Sequence, residues 1–237
     1  MSNQVKSKQR VSDHGEVFTA EREVKAMCDL VADECLRIDS RFLEPAVGEG
    51  VFLSEVLSRK LSVVKEKYKK SAYDYERNAI LAITSIYGVD ILADNAQVCR
   101  DKLFALWDKE YTSVCKKEAN DEVRGTAKYI LQKNIICGNA LSLMCVDENQ
   151  KDTEEPIIFA EWTFPFNDAR VKRRDFRLDV LLKENNDDEF YAEQFSLFGG
   201  EAMSLENWMI DPITNEKVPK PVAEYPLIHY RRLKEND

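Results

Sequence analysis

Strand-like and helix-like segments alternate along the first two-thirds of this 237-residue chain, and few folds accept that order. Thr19 is a candidate helix N-cap, and Val24, Met27, Cys28, Val31 and Cys35 follow it at helical spacing. A short strand is expected at about 41–44, then a glycine turn and a helix from Val51. Further helices are expected over 73–85, 94–117 and 120–133, with strands over 86–91 and 135–137. Helix and strand in strict rotation imply an α/β fold, a parallel sheet joined by helical crossovers.

The pattern loosens beyond that point. The polar, acidic run 146–155 reads as a loop and 156–160 (PIIFA) as a fourth buried strand. A short helix is expected near 175–183, an exposed break over 184–189, and one more strand within 225–233. Periodicity fades from 190 onward, around Gly199-Gly200. The expected organisation is a polar N-terminus over 1–13, one domain over 14–183, and an irregular tail over 184–237.

Composition sets outer bounds. Apolar content of 44% and charged content of 32% are those of a soluble globular protein. No apolar run approaches the roughly 18 residues of a membrane span, and the first ten residues lack the apolar stretch of a signal peptide. A cytoplasmic location with no membrane partner is the expectation. Six cysteines form no CxxC pair and only two histidines accompany them, so no metal site is expected. Cys28, Cys35 and Cys99 lie on apolar helix faces and read as small buried hydrophobes. A net charge of -9 argues against DNA binding by the whole surface. It leaves room for a local basic groove. Lys65, Lys67, Lys69 and Lys70 read as a solvated helix face, whereas Arg170, Lys172, Arg173, Arg174 and Arg177 follow an aromatic stretch, and the first four are the candidate DNA contacts.

The densest chemical signal is the run from Glu44 to Leu53, EPAVGEGVFL, which joins a strand to a helix. Gly48 and Gly50 let the backbone turn tightly and approach a ligand, and the helix start behind them offers free N–H groups. Asp90 ends the next strand, where a carboxylate can accept from both hydroxyls of a ribose. Asn139 ends the third, where an amide can read the edge of an adenine. The carboxyl ends of successive parallel strands converge on one crevice. The 42 positions from Gly48 to Asp90 exceed the roughly 20 of a dinucleotide fingerprint, and GEG lacks the third glycine, so a dehydrogenase is disfavoured.

EPAVGEGVFL resembles the DPACGSGxFL signature of DNA adenine N6-methyltransferases of restriction–modification systems. GEVFTAEREVKAM, from Gly15 to Met27, resembles the GxFxTP element of the group in which that segment is amino-terminal, and YGVDI and GNAL follow in the family's order. The resemblance spans about residues 14–142 and departs from the family pattern at Ala20, for proline, and at Glu44, for aspartate. It implies a Rossmann-like class I methyltransferase sheet and S-adenosylmethionine as cofactor. Phe18 and Thr19 would meet the methionine side and Glu44 its amino group. Pro45, Ala46, Gly48, Gly50 and Phe52 would form the loop, Asp90 would hold the ribose, Ile91 would pack on the adenine, and Asn139 with Ala140 would meet its edge.

The family's Asn/Asp-Pro-Pro-Tyr/Phe motif is absent. At its place stand Glu161, Trp162, Thr163 and Phe164, so Glu161 is the candidate amine acceptor, Phe164 the stacking platform, and Trp162 part of the same candidate catalytic segment. About 70 residues remain after that segment, too few for three more strands and a DNA-reading region. The sheet is therefore expected to be incomplete on its C-terminal side. Three readings stay open: a methyltransferase-like subunit acting on adenine in double-stranded DNA beside a specificity or nuclease subunit, a cofactor-binding or structural component of such an assembly, and a methyltransferase for a small molecule or protein.

Overall fold

The computed structural model describes residues 19–184, 207–210 and 217–236. Phe18, residues 1–13, most of the expected break and Gly199-Gly200 lie outside them. The helices are α1 (Glu21–Leu30), α2 (Ala32–Leu36), α3 (Val51–Tyr68), α4 (Ala72–Thr84), α5 (Ala93–Cys115), α6 (Asp121–Asn134) and α7 (Leu178–Glu184). The strands are β1 (Phe42–Glu44), β2 (Ile86–Asp90), β3 (Ile135–Asn139), β4 (Met144–Val146), β5 (Asp152–Pro156), β6 (Ile158–Thr163), β7 (Arg170–Arg177), β8 (Trp208–Ile210), β9 (Lys217–Pro219), β10 (Ala223–Glu224) and β11 (Ile228–His229).

The protein is mixed α/β, and its main sheet runs β1-β2-β3-β4-β5. As expected, β1, β2 and β3 are parallel, with Glu44 beside Gly88 and Asp90 beside Cys137. Strands added in one direction by right-handed crossovers carry their helices on one face, and the buried sides of α3, α4, α5 and α6 belong to one apolar cluster. Strand alternation splits β2 between two cores. Ile86 faces the helices, while Tyr87 and Val89 face a second cluster with Ile157, Phe159 and Leu178. Helix ends follow local chemistry: Ser71 accepts from Asp74 N–H and Asn120 from Val123 N–H. Thr19 does not cap α1, whose N-cap is Ala20, and Val31 splits the expected single helix in two.

Four expectations change. The expected loop over 146–155 shrinks to the turn 147–151: β4 and β5 on either side form a hairpin that continues the sheet antiparallel to β3. The fourth strand does not join the parallel set. β6 pairs antiparallel with β7 in a separate sheet and runs back across the first one. Ile157 lies against Gly138 at the carboxyl end of β3, Ala160 accepts from Tyr87 Oη at mid-strand (2.9 Å), and Trp162 Nε1 donates to Asn134 Oδ1 (2.9 Å) just before β3 begins. Residues 170–174, unassigned from sequence, and 175–177, expected as helix, form β7, so the expected short helix begins only at Leu178. The described part of the expected tail is docked: β10 and β11 pair with β7, and Tyr230 and Leu233 are buried in the main core. Glu76 of α4 anchors that segment, accepting from Tyr230 Oη (2.6 Å), Tyr111 Oη (2.8 Å) and Arg231 Nη2 (2.7 Å).

Lys60 is the other buried fastener. Its fully enclosed ammonium donates to the carbonyls of Arg37, Ile38 and Ser40 and to Ser85 Oγ, clamping the chain just ahead of β1. Burial lowers its pKa from 10.5 to about 8. Between those values the unfolded chain binds a proton that the folded chain does not, so this residue's contribution to stability rises with pH from about 8 to 10.5 and is lost as pH falls through 8. Denaturant unfolding of wild type and Lys60→Met across that range checks this, the subtraction removing the thiols and tyrosines common to both. The difference should shift by up to about 3 kcal/mol in favour of wild type as pH rises. Parallel profiles would refute a buried, titrating Lys60.

Candidate functional site

The turn after β1 carries the most constrained backbone at the sheet's carboxyl edge. Gly48 (φ 52°) and Gly50 (φ 79°) both adopt left-handed conformations, and Gly50 is the residue from which α3 starts. A Cβ on Gly50 would lie 2.6 Å from Cys99 Sγ on α5, so this position needs glycine for room as well as for φ. A Cβ on Gly48 would meet nothing within 4 Å, so that stretch of backbone borders open space.

Asp90 ties the turn to the neighbouring strand. Its Oδ2 accepts from Gly48 N–H (2.7 Å), and its Oδ1 accepts from Leu92 N–H (2.8 Å) and from Asn95 Nδ2 (3.4 Å). Asn95 is a site residue that sequence reasoning missed. Its only signal is an asparagine one turn into the helix after Asp90. Glu44, half-buried at the end of β1, accepts from the Ala46 backbone, and burial raises its pKa. Among the described residues no ion pair involves it. Asn139, half-buried at the end of β3, accepts from Leu141 N–H through Oδ1 and donates from Nδ2 to Asp152 Oδ1, both at 3.0 Å. Ile91 and Ala140 are half-buried nearby along the same edge, Pro45 and Ala46 are exposed on the turn, and Thr19 is exposed ahead of α1. Phe52 turns into the main core, 6.4 Å from the ring of Phe42.

Glu44, Gly48, Asp90 and Asn139 therefore share one sheet edge. Asn139 Oδ1 has lone-pair capacity beyond its backbone donor. Glu44 is a desolvated carboxylate without a cation, suited to an ammonium, and the Gly48 backbone leaves space for the ligand to approach.

The expected catalytic segment is elsewhere. Because β6 runs back across the sheet, Glu161, Trp162 and Phe164 end at the edge opposite the glycine turn. Glu161 is held by Arg41, just ahead of β1 (Nη2 to Oε1, 2.9 Å), and by Arg174 (Nη2 to Oε2, 2.5 Å). Both carboxylate oxygens of Glu161 are thus already engaged by guanidiniums. Trp162 is buried on Asn134 and Tyr129, and Phe164 packs on the core under Arg77. The Arg41–Glu161–Arg174 cluster has no sequence signal, since 120 positions separate Arg41 from Glu161.

The candidate DNA contacts do not form a basic patch. Strand alternation sends Arg173 inward, 3% exposed, where it pairs with Asp175 (2.6 Å) and lies over Tyr225. Arg170 pairs with Asp168 (2.6 Å), Lys172 with Glu224, and Arg177 with Asp179 (2.9 Å). Each charge already has an acid. Lys65, Lys67, Lys69 and Lys70 are exposed, as expected of a solvated face, and Cys28, Cys35 and Cys99 are buried. No group of metal-binding side chains occurs among the described residues, and no helix there is long and apolar enough to cross a membrane.

Compared with protein-family models, curated proteins and solved structures, the chain matches none. The local geometry is directly testable. Gly50→Ala should destabilise the fold by roughly 2 kcal/mol or more, from left-handed strain plus overpacking. Adding Cys99→Ala should recover the packing part and leave about 1–2 kcal/mol of backbone strain. Full recovery in the double variant, read from denaturation midpoints, would show that φ is not strained there.

Proposed function

We propose that this chain is an S-adenosylmethionine-binding, methyltransferase-like subunit that acts in adenine methylation of double-stranded DNA, with DNA grip and specificity supplied by a partner subunit. The observation that carries the reading is the Gly48 turn locked to Asp90, with Glu44 and Asn139 at the same sheet edge. Glu44 would hold the ligand's ammonium, Asp90 its ribose hydroxyls, and Asn139 the adenine edge. Pro45, Ala46, Gly48, Gly50, Ile91 and Ala140 would shape the walls. The bound cofactor would supply a methyl group on a cationic sulfonium, and this chain's part is to bind and orient it. The resemblance of four motifs in order supports DNA adenine as the substrate class.

A second reading is favoured by the position of Glu161, Trp162 and Phe164, away from the cofactor edge and engaged with other protein groups. On that reading the chain is a non-catalytic, cofactor-binding component of the same kind of restriction or phage-defence assembly.

Calorimetry with S-adenosylmethionine and its demethylated product tests what both readings share. Wild type should bind, and Glu44→Gln should weaken binding about 10- to 100-fold through loss of a charge-assisted contact of about 1–3 kcal/mol. Gly48→Ala adds a methyl group to the open space at a left-handed position, so it should cost affinity tenfold or more, with about 1–2 kcal/mol of stability lost to backbone strain. Absence of binding by wild type at millimolar ligand would remove the shared basis of both readings.

A radiolabelled methyl-transfer assay on mixed-sequence duplex addresses catalysis. The isolated chain is expected to transfer no methyl group, because Glu161 and Phe164 stand away from the cofactor edge and are engaged with Arg41, Arg174 and Arg77. Robust transfer by the lone chain would refute dependence on a partner.

A further inference from the structure

We infer that the cavity between the open edge of β1 and the β6–β7 hairpin binds an amphipathic carboxylate. Its volume is about 550 Å³, within the roughly 300–1,000 Å³ that holds small organic ligands. None of the residues assigned above to the cofactor lines it, so the site stands apart from the proposed function.

The walls and the mouth differ in chemistry. Leu43, Phe159, Phe176, Leu181, Leu182 and Met209 supply an apolar lining from five separate elements. The charged side chains that line it are Arg41, Glu161 and Arg174. Two guanidiniums on one carboxylate leave a single positive charge, which matches a monoanion. Glu161 engages Nη2 of Arg41 and Nε and Nη2 of Arg174, and a guanidinium carries five N–H donors. Both arginines thus keep donors in reserve, and their side chains are 55% and 38% exposed. Glu161 holds the two forks in place before any ligand arrives. A ligand carboxylate would take the remaining donors bidentately, and its apolar body would leave water for the leucine and phenylalanine wall.

This arrangement makes a prediction that a merely structural ion cluster would not. Glu161 competes with a ligand carboxylate for the same guanidiniums, so neutralising it should strengthen binding. The probes are decanoate, 2-naphthoate and the neutral amide of 2-naphthoate, titrated by calorimetry into the full chain, with circular dichroism melts as the folding control. Wild type should bind both carboxylates in preference to the amide. Arg41→Gln and Arg174→Gln should each weaken carboxylate binding tenfold or more. Leu182→Trp should abolish it by filling the cavity, and Glu161→Gln should tighten it several-fold. No binding of either carboxylate at millimolar concentration, equal affinity for acid and amide, or weaker binding by a folded Glu161→Gln would each overturn the proposal. If Glu161→Gln does not fold, the two arginine variants decide: unchanged affinity in both overturns it.

Discussion

The Asp90 carboxylate is the joint on which the carboxyl edge of the parallel strands depends. It accepts from the backbone of the turn after β1 and from that of the turn after β2, so neither can shift alone. An N–H that points out of a left-handed turn has no helical partner, and a buried donor left unmet costs about 1–3 kcal/mol. The strand beside it is shaped for the same contact. A Cβ on Gly88 would come within 3.0 Å of Val47, so glycine there lets Val47 lie across β2 and donate to Val89 O (2.9 Å). Glu44 and Asn139 then inherit their places from strand register, one strand to either side.

How much of this was legible follows from the length of the periodic signals. Helices α3 to α6 and strands β1 to β3 showed because 13 or more residues of helical spacing, or a compact apolar run, outweigh local exceptions. The hairpin of β4 and β5 was hidden. Its second strand, Asp-Thr-Glu-Glu-Pro, is poor in strand formers and mostly exposed, and it is a strand because it pairs with β4. The same holds for β7, whose density of arginine and lysine masks a period of two. Val171, Arg173 and Asp175 are buried in alternation, and two of those three are charged.

Charge in this protein is spent locally. Arg173 and Asp175 share one face of β7 because they are two positions apart, and their forked contact, roofed by Tyr225 and flanked by Tyr129, satisfies both inside the fold. Glu76 does the same for Arg231 and two tyrosines at the seam between α4, α5 and the C-terminal segment. Counting basic residues along a strand mistakes such pairs for a patch. The spacing of acids two positions away, at Asp168, Asp175 and Asp179, was the available warning.

Chain direction separates the two ends of the sheet chemically. Parallel strands all deliver the turns that follow them to one edge, which is why the residues after β1, β2 and β3 converge. A strand that returns antiparallel delivers its next residues to the opposite edge, and β6 does so. Trp162 there seals the starts of β2 and β3 through Asn134, whose amide donates to Ile86 O (3.0 Å) and Thr84 O (3.3 Å). Arg77 fixes the following turn by donating to Asp168 O (2.6 Å) and Phe166 O (3.1 Å). Bringing Glu161 to the Gly48 edge would require reversing β6, which would break its six-residue register with β7 and strand the Trp162 and Tyr87 donors. Because those bonds are buried, each donor so stranded would cost about 1–3 kcal/mol, and the chain direction of β6 is fixed by them.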